Sequence, residues 1–277
     1  MSKRDITGLT VVITGAARGI GEATAELLAS QGATVALGDL DTALVQRVAE
    51  RIGRGAVGAH LDVTSADSWK SFLAEVGEVG PIDVLVNNAG IMPLGSVLKE
   101  PDAVTRRIID VNVHGLINGT KAVAPGMVER GRGHIVNVAS AVGRIAVADG
   151  ATYSASKFAA VGFSEATRAE LKPNGIDVTV VLPTIVQTEL SAGVPSAKGV
   201  KSVSAQDVAE VIATAIRTGR PELWVPRWVQ GMTKTTGVLP RWLQEKIAGA
   251  FGADRVLADR DEAQRSAYEA RVRPPAS

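Results

Sequence analysis

Short apolar runs rich in β-branched residues recur along the chain and predict buried β-strands. Strands that are covered on both faces read as continuous apolar runs, whereas half-exposed strands alternate polar and apolar positions. The runs in this chain are of the continuous kind. We predict strands at Thr10–Ile13, Thr34–Leu37, Ala56–Leu61, Ile82–Val86, His134–Val138, Ile176–Val181 and Leu223–Val225.

Stretches with helical periodicity separate these runs. Ser65 is a candidate N-cap, and Ser204 with Asp207 resembles a capping box. Regular alternation of strands and helices implies right-handed crossovers, so the predicted fold is α/β with a doubly wound parallel sheet of about seven strands. The predicted helices cover Ala23–Ser30, Thr42–Ile52, Ser65–Glu78, Val104–Arg130, Ala151–Leu171 and Ser204–Arg217.

The chain changes character after the last predicted strand. We predict a main domain over residues 1–225 and a C-terminal helical extension over residues 226–277. The extension is rich in tryptophan, and an apolar stripe there most often means packing on the same domain or a neighbouring subunit. A lid over a pocket and contact with a membrane surface are the alternatives. The stripe consists of Leu243, Ile247, Ala250 and Phe251.

The end of the extension is highly charged. The segment from Asp254 to Arg273 carries many acidic and basic residues, and we predict that it forms a solvated helix.

Composition excludes several classes of protein. The 277 residues carry a formal net charge of +1, which argues against a nucleic-acid-binding surface. There is no cysteine, so disulfides and thiolate metal sites are excluded. No apolar run is long enough to span a membrane, and Met1–Asp5 lacks the apolar core of a signal peptide. We therefore predict a cytoplasmic enzyme.

A glycine-rich turn follows the first predicted strand and precedes a helix. Gly15, Gly19 and Gly21 form the pattern G-x-x-x-G-x-G. A tight turn of this kind lets the backbone approach a pyrophosphate, and the helix N-terminus offers unpaired N–H groups to an anion. The alternative is a glycine turn that binds nothing.

An acidic residue at the end of the second strand bears on the choice of dinucleotide. Asp39 lies twenty-four residues after Gly15, where a carboxylate can accept hydrogen bonds from both ribose hydroxyls. A 2′-phosphate would meet like charge there, so Asp39 favours NAD over NADP. Arg18, in the glycine turn, could instead meet a 2′-phosphate. The alternative for Asp39 is a helix-cap or turn aspartate, but Asp41 fits that role better than Asp39 does.

A tyrosine and a lysine stand one helical turn apart. Tyr153 and Lys157 share a face of their predicted helix, and Ser140 follows the fifth strand. A cation fixed ~4 Å from the phenol would contribute about 4 kcal/mol at an effective dielectric of ~20. This corresponds to roughly three pKa units, enough to bring the phenol near neutral pH. A chance surface pair is the alternative.

Taken together, these motifs resemble the short-chain dehydrogenase/reductase family over roughly residues 7 to 225. The resemblance rests on the Thr14–Gly21 turn, Asn87-Asn88-Ala89-Gly90, Asn112, Ser140, and Tyr153 with Lys157. It implies a Rossmann-like fold, a nicotinamide dinucleotide as cofactor, and a homodimer or homotetramer.

The resemblance also implies roles for individual residues. Asn112 would hold a water in a proton relay, and Ser140 would bind the substrate oxygen. Tyr153 would donate or accept the proton, while Lys157 would hold the nicotinamide ribose and lower the pKa of the phenol. The implied cofactor-binding residues are Gly15, Arg18, Gly19, Ile20, Asp39, Asp62, Val63, Asn88, Ala89, Gly90, Tyr153, Lys157, Pro183, Val186 and Thr188.

The sequence departs from the family pattern in one place. The family usually carries Pro-Gly after the sixth strand, but this chain has Pro183-Thr184. Losing the glycine restricts the backbone there. The Val186 backbone and the Thr188 hydroxyl could still fix the nicotinamide carboxamide.

The predicted function is NAD(H)-dependent interconversion of a secondary alcohol and a ketone. We expect a mobile loop over the substrate between Glu189 and Val203. An apolar pocket favours a steroid-, retinoid- or lipid-like substrate, and its predicted lining is Met92, Pro93, Leu94, Val142 and Val147. No metal is needed, since the three histidines have no ligand spacing. A non-catalytic dinucleotide sensor or scaffold and an NADP-dependent reductase are the alternatives.

Overall fold

The computed structural model describes residues 4–195, 202–237, 239–240, 242–243, 246, 249 and 257–273. A seven-stranded sheet lies at its centre, with the strand order β3-β2-β1-β4-β5-β6-β7 and every neighbouring pair parallel. This topology confirms the predicted doubly wound sheet. The strands are β1 (Thr10–Thr14), β2 (Thr34–Asp39), β3 (Val57–His60), β4 (Val84–Asn87), β5 (Gly133–Val138), β6 (Ile176–Pro183) and β7 (Glu222–Val225).

Helices cover both faces of the sheet. The apolar side chains of α1, α2 and α7 pack on one face, and those of α3 and α5 pack on the other. Successive strand residues point to opposite faces, so Val11 joins the first layer and Val12 the second. The helices are α1 (Gly19–Ser30), α2 (Thr42–Ile52), α3 (Ala66–Glu75), α4 (Asp102–Ile109), α5 (Gly115–Arg130), α6 (Ala151–Leu171), α7 (Ala205–Thr218), α8 (Trp228–Gly237) and α9 (Glu262–Val272).

Two predicted helices differ from the observed ones. The stretch predicted as one helix over Val104–Arg130 contains a π-helical segment, Asp110–His114, between α4 and α5. The helix predicted over Ser65–Glu78 ends at Glu75 and is followed by a short 3-10 turn. Both differences are local changes in backbone hydrogen bonding, which hydrophobic periodicity does not report.

The order of the strands reverses at β1, which lies between β2 and β4. In sheets of this type, ligands bind in the crevice beyond the carboxyl ends of the strands at such a reversal. The sheet therefore directs attention to Thr14, at the end of β1, and Asn87, at the end of β4.

The charged C-terminal segment forms the predicted helix, α9, and most of its positions are exposed, but the prediction that this helix is solvated is wrong for one face. Asp261 caps α9 by accepting hydrogen bonds from the backbone N–H groups of Ala263 and Gln264. Arg265, Tyr268 and Val272 are buried, with exposed fractions of 1%, 6% and 6%. Much of the predicted apolar stripe, namely Ile247, Ala250 and Phe251, lies outside the described residues.

Among the described residues, no helix combines the length and the apolar composition that a bilayer crossing requires.

Candidate active site

A cavity of about 620 Å³ opens at the carboxyl edge of the sheet. It brings together residues that are far apart in the sequence, from the glycine turn to the end of α9. Of the catalytic and cofactor-binding residues predicted from the sequence, Asn112 alone is not part of its lining. The predicted residues that line it are Gly15, Arg18, Gly19, Ile20, Asp39, Asp62, Val63, Asn88, Ala89, Gly90, Ser140, Tyr153, Lys157, Pro183, Val186 and Thr188.

The glycine turn forms one end of the cavity. Gly15 and Gly19 have φ values of 65° and 60°, in the left-handed region that favours glycine. A Cβ on Gly15 would lie 2.8 Å from the Cα of Ala89, so no larger residue fits there. Asn88 holds the two segments together, because its Nδ2 donates to the carbonyls of Thr14 and Gly15 at 2.9 and 3.0 Å.

The helix that follows the turn has an N-terminus suited to an anion. The N-cap residue, Arg18, makes no side-chain capping bond to α1. Gly19 lies so close to Thr188 that a Cβ there would come within 3.3 Å of the Thr188 Cγ2. The cradle is therefore formed by backbone, with a basic side chain beside it, which fits the pyrophosphate of a dinucleotide.

The carboxylate of Asp39 is fixed at the cavity wall. Its two oxygens accept hydrogen bonds from the backbone N–H groups of Ala17 and Asp41, each at 3.0 Å. Arg18 is paired with Asp41 at 2.8 Å and lies 3.9 Å from Glu189. The positive charge in the turn is thus already compensated by two acidic neighbours.

Asp62 and Val63 line the cavity beyond β3 and are held by local hydrogen bonds. Asp62 accepts from the backbone N–H and the hydroxyl of Thr64 at 2.9 and 2.7 Å. The carbonyl of Val63 accepts from Trp69 at 3.3 Å and from Asn118 at 3.1 Å. The resemblance implies that Asp62 hydrogen-bonds the adenine, with the Val63 backbone alongside, and this contact stays a prediction.

Tyr153, Lys157 and Ser140 meet in the middle of the cavity wall. Tyr153 and Lys157 lie one turn apart on α6 and are only 5% and 6% exposed. The Lys157 Nζ is 5.7 Å from the centre of the Tyr153 ring and donates to the carbonyl of Val138 at 3.3 Å. Ser140 ends the segment after β5, and its Oγ accepts from the N–H of Val142 at 3.2 Å.

The pKa values in this group are set mainly by burial. Burial raises the pKa of Tyr153 to about 12, although a hydrogen bond with Ser140 and the charge of Arg265 act in the opposite direction. Burial also lowers the pKa of Lys157 to about 8. Desolvation is the largest influence on the phenol, and Lys157 is not among the groups that lower its pKa in this arrangement. That Lys157 brings the phenol near neutral pH stays a prediction.

Asn112 lies in the π-helical segment and is buried. Its Oδ1 accepts from the N–H of Ile91 at 2.8 Å, and its Nδ2 donates to the carbonyl of Ile91 at 2.9 Å and to Ser156 at 3.0 Å. These bonds fix the segment after β4 against α6. The structure thus places Asn112 outside the cavity lining, as a brace for the wall, and its part in a proton relay stays a prediction.

The segment after β6 carries the departure from the family pattern. The backbone N–H of Thr184 donates to the carbonyl of Val225 at 2.9 Å. Its hydroxyl oxygen is buried and has no hydrogen-bond partner among the described residues. Val186 is buried, and its carbonyl accepts hydrogen bonds from Ser191 and Thr188. A polar atom that lacks a partner at the cavity wall is available to a bound ligand.

The other end of the cavity is apolar. Of the predicted pocket residues, Met92, Val142 and Val147 line it. Pro93 and Leu94 do not; Leu94 packs behind the lining in the same apolar cluster as Met92. The sequence did not point to several further lining residues: Arg107, Ile145, Thr184, Leu257, Tyr268, Arg271 and Val272.

The buried guanidinium of Arg265 attaches α9 to the rest of the molecule. It donates to the carbonyls of Leu190 at 2.9 Å and Ala192 at 3.2 Å, and also to the carbonyl of Met92. Its Nε donates to Glu269 at 2.7 Å. Arg265 thereby joins the segments after β4 and β6. The spacing of Arg265, Tyr268 and Val272 on one helical face is the sequence signal for this contact.

No group of three or more potential metal ligands occurs among the residues that the structure describes. His134 lies in β5 and is buried; its ring nitrogen is 2.8 Å from the Thr179 hydroxyl of β6, and burial lowers its pKa to about 4.

Comparison with known proteins places this architecture among oxidoreductases. The family model described as short chain dehydrogenase matches residues 9–199. The chain is 36% identical to SadH of Mycobacterium tuberculosis, which is provisionally named an oxidoreductase; the match covers 82% of this chain and 83% of SadH. It is 36% identical to a 3-alpha-(or 20-beta)-hydroxysteroid dehydrogenase of Mycobacterium bovis, over 69% of this chain and 74% of that protein.

A solved structure shows the same fold. The crystal structure of a 3-ketoacyl-(acyl-carrier-protein) reductase from Brucella melitensis complexed with NADH superposes with a TM-score of 0.73 and 28% sequence identity. The superposition covers 79% of this chain and 97% of that one.

Proposed function

Because this chain belongs to the short-chain dehydrogenase/reductase family, whose members bind a nicotinamide dinucleotide, we propose that it is an NAD(H)-dependent oxidoreductase that interconverts a secondary alcohol and a ketone. The observation that carries this proposal is the burial of Tyr153, Ser140 and Lys157 on one cavity wall, with the glycine turn at one end and an apolar chamber at the other.

The residues at the glycine end fit the dinucleotide. The α1 N-terminus would hold the pyrophosphate, Asp39 the adenosine ribose, and Lys157 the nicotinamide ribose. The Thr184 hydroxyl, which has no hydrogen-bond partner in the described part of the chain, lies close in sequence to Val186 and Thr188, the residues expected to fix the carboxamide. When bound, the dinucleotide supplies or accepts a hydride at the carbinol carbon.

The protein's own part in the reaction is to manage a proton. Tyr153 would donate its phenol proton to the ketone oxygen during reduction and accept a proton during oxidation, with Ser140 stabilising the same oxygen. A pKa of about 12 keeps the phenol protonated at neutral pH. The free protein is thus set for ketone reduction, and we expect alcohol oxidation to accelerate as the pH rises.

The preference for NAD over NADP rests on charge. Asp39 is a fixed carboxylate in the cavity wall, where the sequence predicts the adenosine ribose, and it would repel a 2′-phosphate there. Arg18 is the feature that favours the NADP alternative, because it lines the cavity. Its guanidinium is, however, paired with Asp41 at 2.8 Å, so Asp39 decides the preference. NADH in the Brucella reductase is consistent with this assignment.

The substrate chamber supports an apolar substrate. Met92, Val142, Val147, Leu190, Val194 and Leu257 line it with hydrocarbon. Such a wall favours a ketone with a bulky hydrocarbon body over a small polyol, because polar hydroxyls would lose hydration without gaining partners. The similarity to a hydroxysteroid dehydrogenase agrees with a substrate of this class. Assembly into a dimer or tetramer and a cytoplasmic location stay predictions.

The test is a panel of ketones and alcohols, from small polyols to steroids, followed by NADH absorbance. We expect turnover of apolar members and a loss of roughly 10²–10⁴-fold in kcat for Tyr153→Phe, the range for removal of a general acid. NADH binding by Tyr153→Phe, measured by fluorescence titration, should stay within about 3-fold of the wild type, since the ring remains. Cofactor binding without turnover of any panel member would support the sensor alternative instead.

A further inference from the structure

Tyr268 places a second phenol on the cavity wall. The residue lies on α9, lines the substrate chamber and is 6% exposed. Its oxygen accepts a hydrogen bond from the backbone N–H of Met92 at 2.7 Å. No residue that the structure describes accepts its hydroxyl hydrogen. A phenol has one donor and can also accept, so its donor is still available.

The position of this phenol is fixed by cations. The guanidinium carbon of Arg265 lies 4.9 Å from the centre of the Tyr268 ring, and that of Arg271 lies 5.7 Å from it. Arg265 is itself anchored by the carbonyls of Leu190 and Ala192. The ring therefore cannot turn away from the cavity without breaking several buried contacts. A donor held in this way is preorganised for a ligand atom.

The protonation state of the Tyr268 phenol is fixed as well. Burial raises the pKa of Tyr268, and the nearby phenol of Tyr153 acts in the same direction. Tyr268 thus remains a neutral hydrogen-bond donor throughout the physiological range. Tyr153 and Tyr268 line the same cavity, so the two phenols can contact one ligand.

We propose that Tyr268 donates a hydrogen bond to a second oxygen of the substrate, so that the preferred substrates are apolar ketones or alcohols with another carbonyl or hydroxyl away from the reacting carbon. The inference rests on the proposed function and narrows its substrate class. Ser140 and Tyr153 would hydrogen-bond the reacting oxygen of the substrate, and Tyr268 would hydrogen-bond its second oxygen.

The physical reason is the cost of an unmatched donor. In the free protein, water can accept the hydrogen of Tyr268. A purely hydrocarbon group would displace that water and leave the donor unpaired, whereas an oxygen would replace it. A hydrogen bond of this type corresponds to roughly 3- to 10-fold in binding or in kcat/KM.

The test uses three matched pairs of ketones, each a monoketone and a diketone on the same carbon skeleton: monocyclic, bicyclic and steroid. The quantity measured is the ratio of kcat/KM for the diketone to that for the monoketone, after statistical correction for two equivalent carbonyls. In the wild type we expect a ratio of roughly 3 to 10 for at least one pair. In Tyr268→Phe, which keeps the ring, that ratio should fall to about 1.

Ser266→Ala is the matched control, because it removes a hydroxyl from the same helix at an exposed position outside the cavity. Its ratio should equal that of the wild type. A wild-type ratio near 1 in all three pairs would overturn the inference, even if Tyr268→Phe does not fold. A ratio that survives in Tyr268→Phe would overturn it too. If no ketone is reduced, both the proposed function and this inference fail. If ketones are reduced but diketones are not preferred over monoketones, only this inference fails.

Discussion

The two ends of the cavity are built by different means. At the cofactor end, backbone segments of β1, β4 and α1 approach so closely that Gly15 has no room for a Cβ. At the substrate end, α9 and the segments after β4 and β6 meet through side chains. Arg265, buried and hydrogen-bonded to three carbonyls, is the main connection.

This difference has consequences for stability and for specificity. The cofactor end is continuous with the buried sheet, so opening it means disturbing the core. The substrate end depends on a small number of polar contacts outside the sheet, and such regions open locally at lower free energy. The same construction lets the substrate chamber change without altering the cofactor site. We expect the two ends to respond separately to substitution.

The largest effect should come from Arg265→Met. This change removes the hydrogen bonds to Leu190 and Ala192 and leaves Glu269 with one fewer partner. Buried hydrogen bonds that involve a charged group are worth roughly 1.5–3 kcal/mol each. If the two ends of the cavity are energetically independent, this substitution destabilises the packing of α9 and leaves the cofactor end unchanged. Amide hydrogen exchange in α9 should therefore accelerate by at least 100-fold, while NADH affinity changes by less than about 3-fold.

Arg106→Met is the control for this experiment. Arg106 is 75% exposed and lies 4.0 Å from Asp102 across one helical turn. An exposed ion pair of this kind contributes little to stability, so its removal should have little effect. Exchange in α9 should be the same as in the wild type. If Arg265→Met weakened NADH binding as strongly as it loosened α9, the ends would form one cooperative unit and the comparison would fail.

The contrast between the two ends also explains what could be predicted from the sequence. The strands and the glycine turn follow from local patterns, because a buried parallel strand is apolar throughout and a tight turn requires glycine. The cofactor end consists almost entirely of such features. Gly15, Asp39 and Asn88 could therefore be assigned to one place before any coordinates were known.

The substrate end could not be predicted in the same way. The spacing of Arg265, Tyr268 and Val272 indicates a shared helical face. Arg265 and Met92 are, however, 173 positions apart, and no local pattern reports which distant carbonyls the guanidinium will contact. The charge of the segment after Asp254 pointed to solvent instead. The spacing of four residues likewise does not report that burial is the largest influence on the pKa of Tyr153, because desolvation is a property of the whole fold.

Lys157 lies between the two ends, and its burial predicts a second effect. Its pKa is lowered to about 8, so the folded protein holds the charged amine at a cost below that pH. This penalty is present at low pH and disappears as the pH rises from about 8 to the unfolded value of about 10.5. In Lys157→Met the penalty is absent at every pH.

The quantity to compare is the free energy of unfolding of Lys157→Met minus that of the wild type. We expect this difference to be more favourable to the variant at pH 7 than at pH 10, by on the order of 3 kcal/mol. Urea unfolding of both proteins at the two pH values measures this difference, in which the titration of other groups largely cancels. A gap that does not change with pH would mean that the Lys157 amine stays hydrated. Turnover should be lost in this variant in either case.

The smallest effect concerns the cofactor end alone. Asp39→Asn keeps the shape of the side chain and removes its charge, and should raise the affinity for NADPH relative to NADH by roughly 10-fold, since a unit charge a few Å from a phosphate is worth 1–4 kcal/mol at a protein surface. Fluorescence titration with both coenzymes gives the ratio. Asp67→Asn, at a 90% exposed position paired with Lys70, is the matched control and should leave it unchanged. An unchanged ratio in Asp39→Asn would assign the choice of coenzyme to Arg18. Faster amide hydrogen exchange in α9 of this variant would show that the two ends of the cavity are coupled.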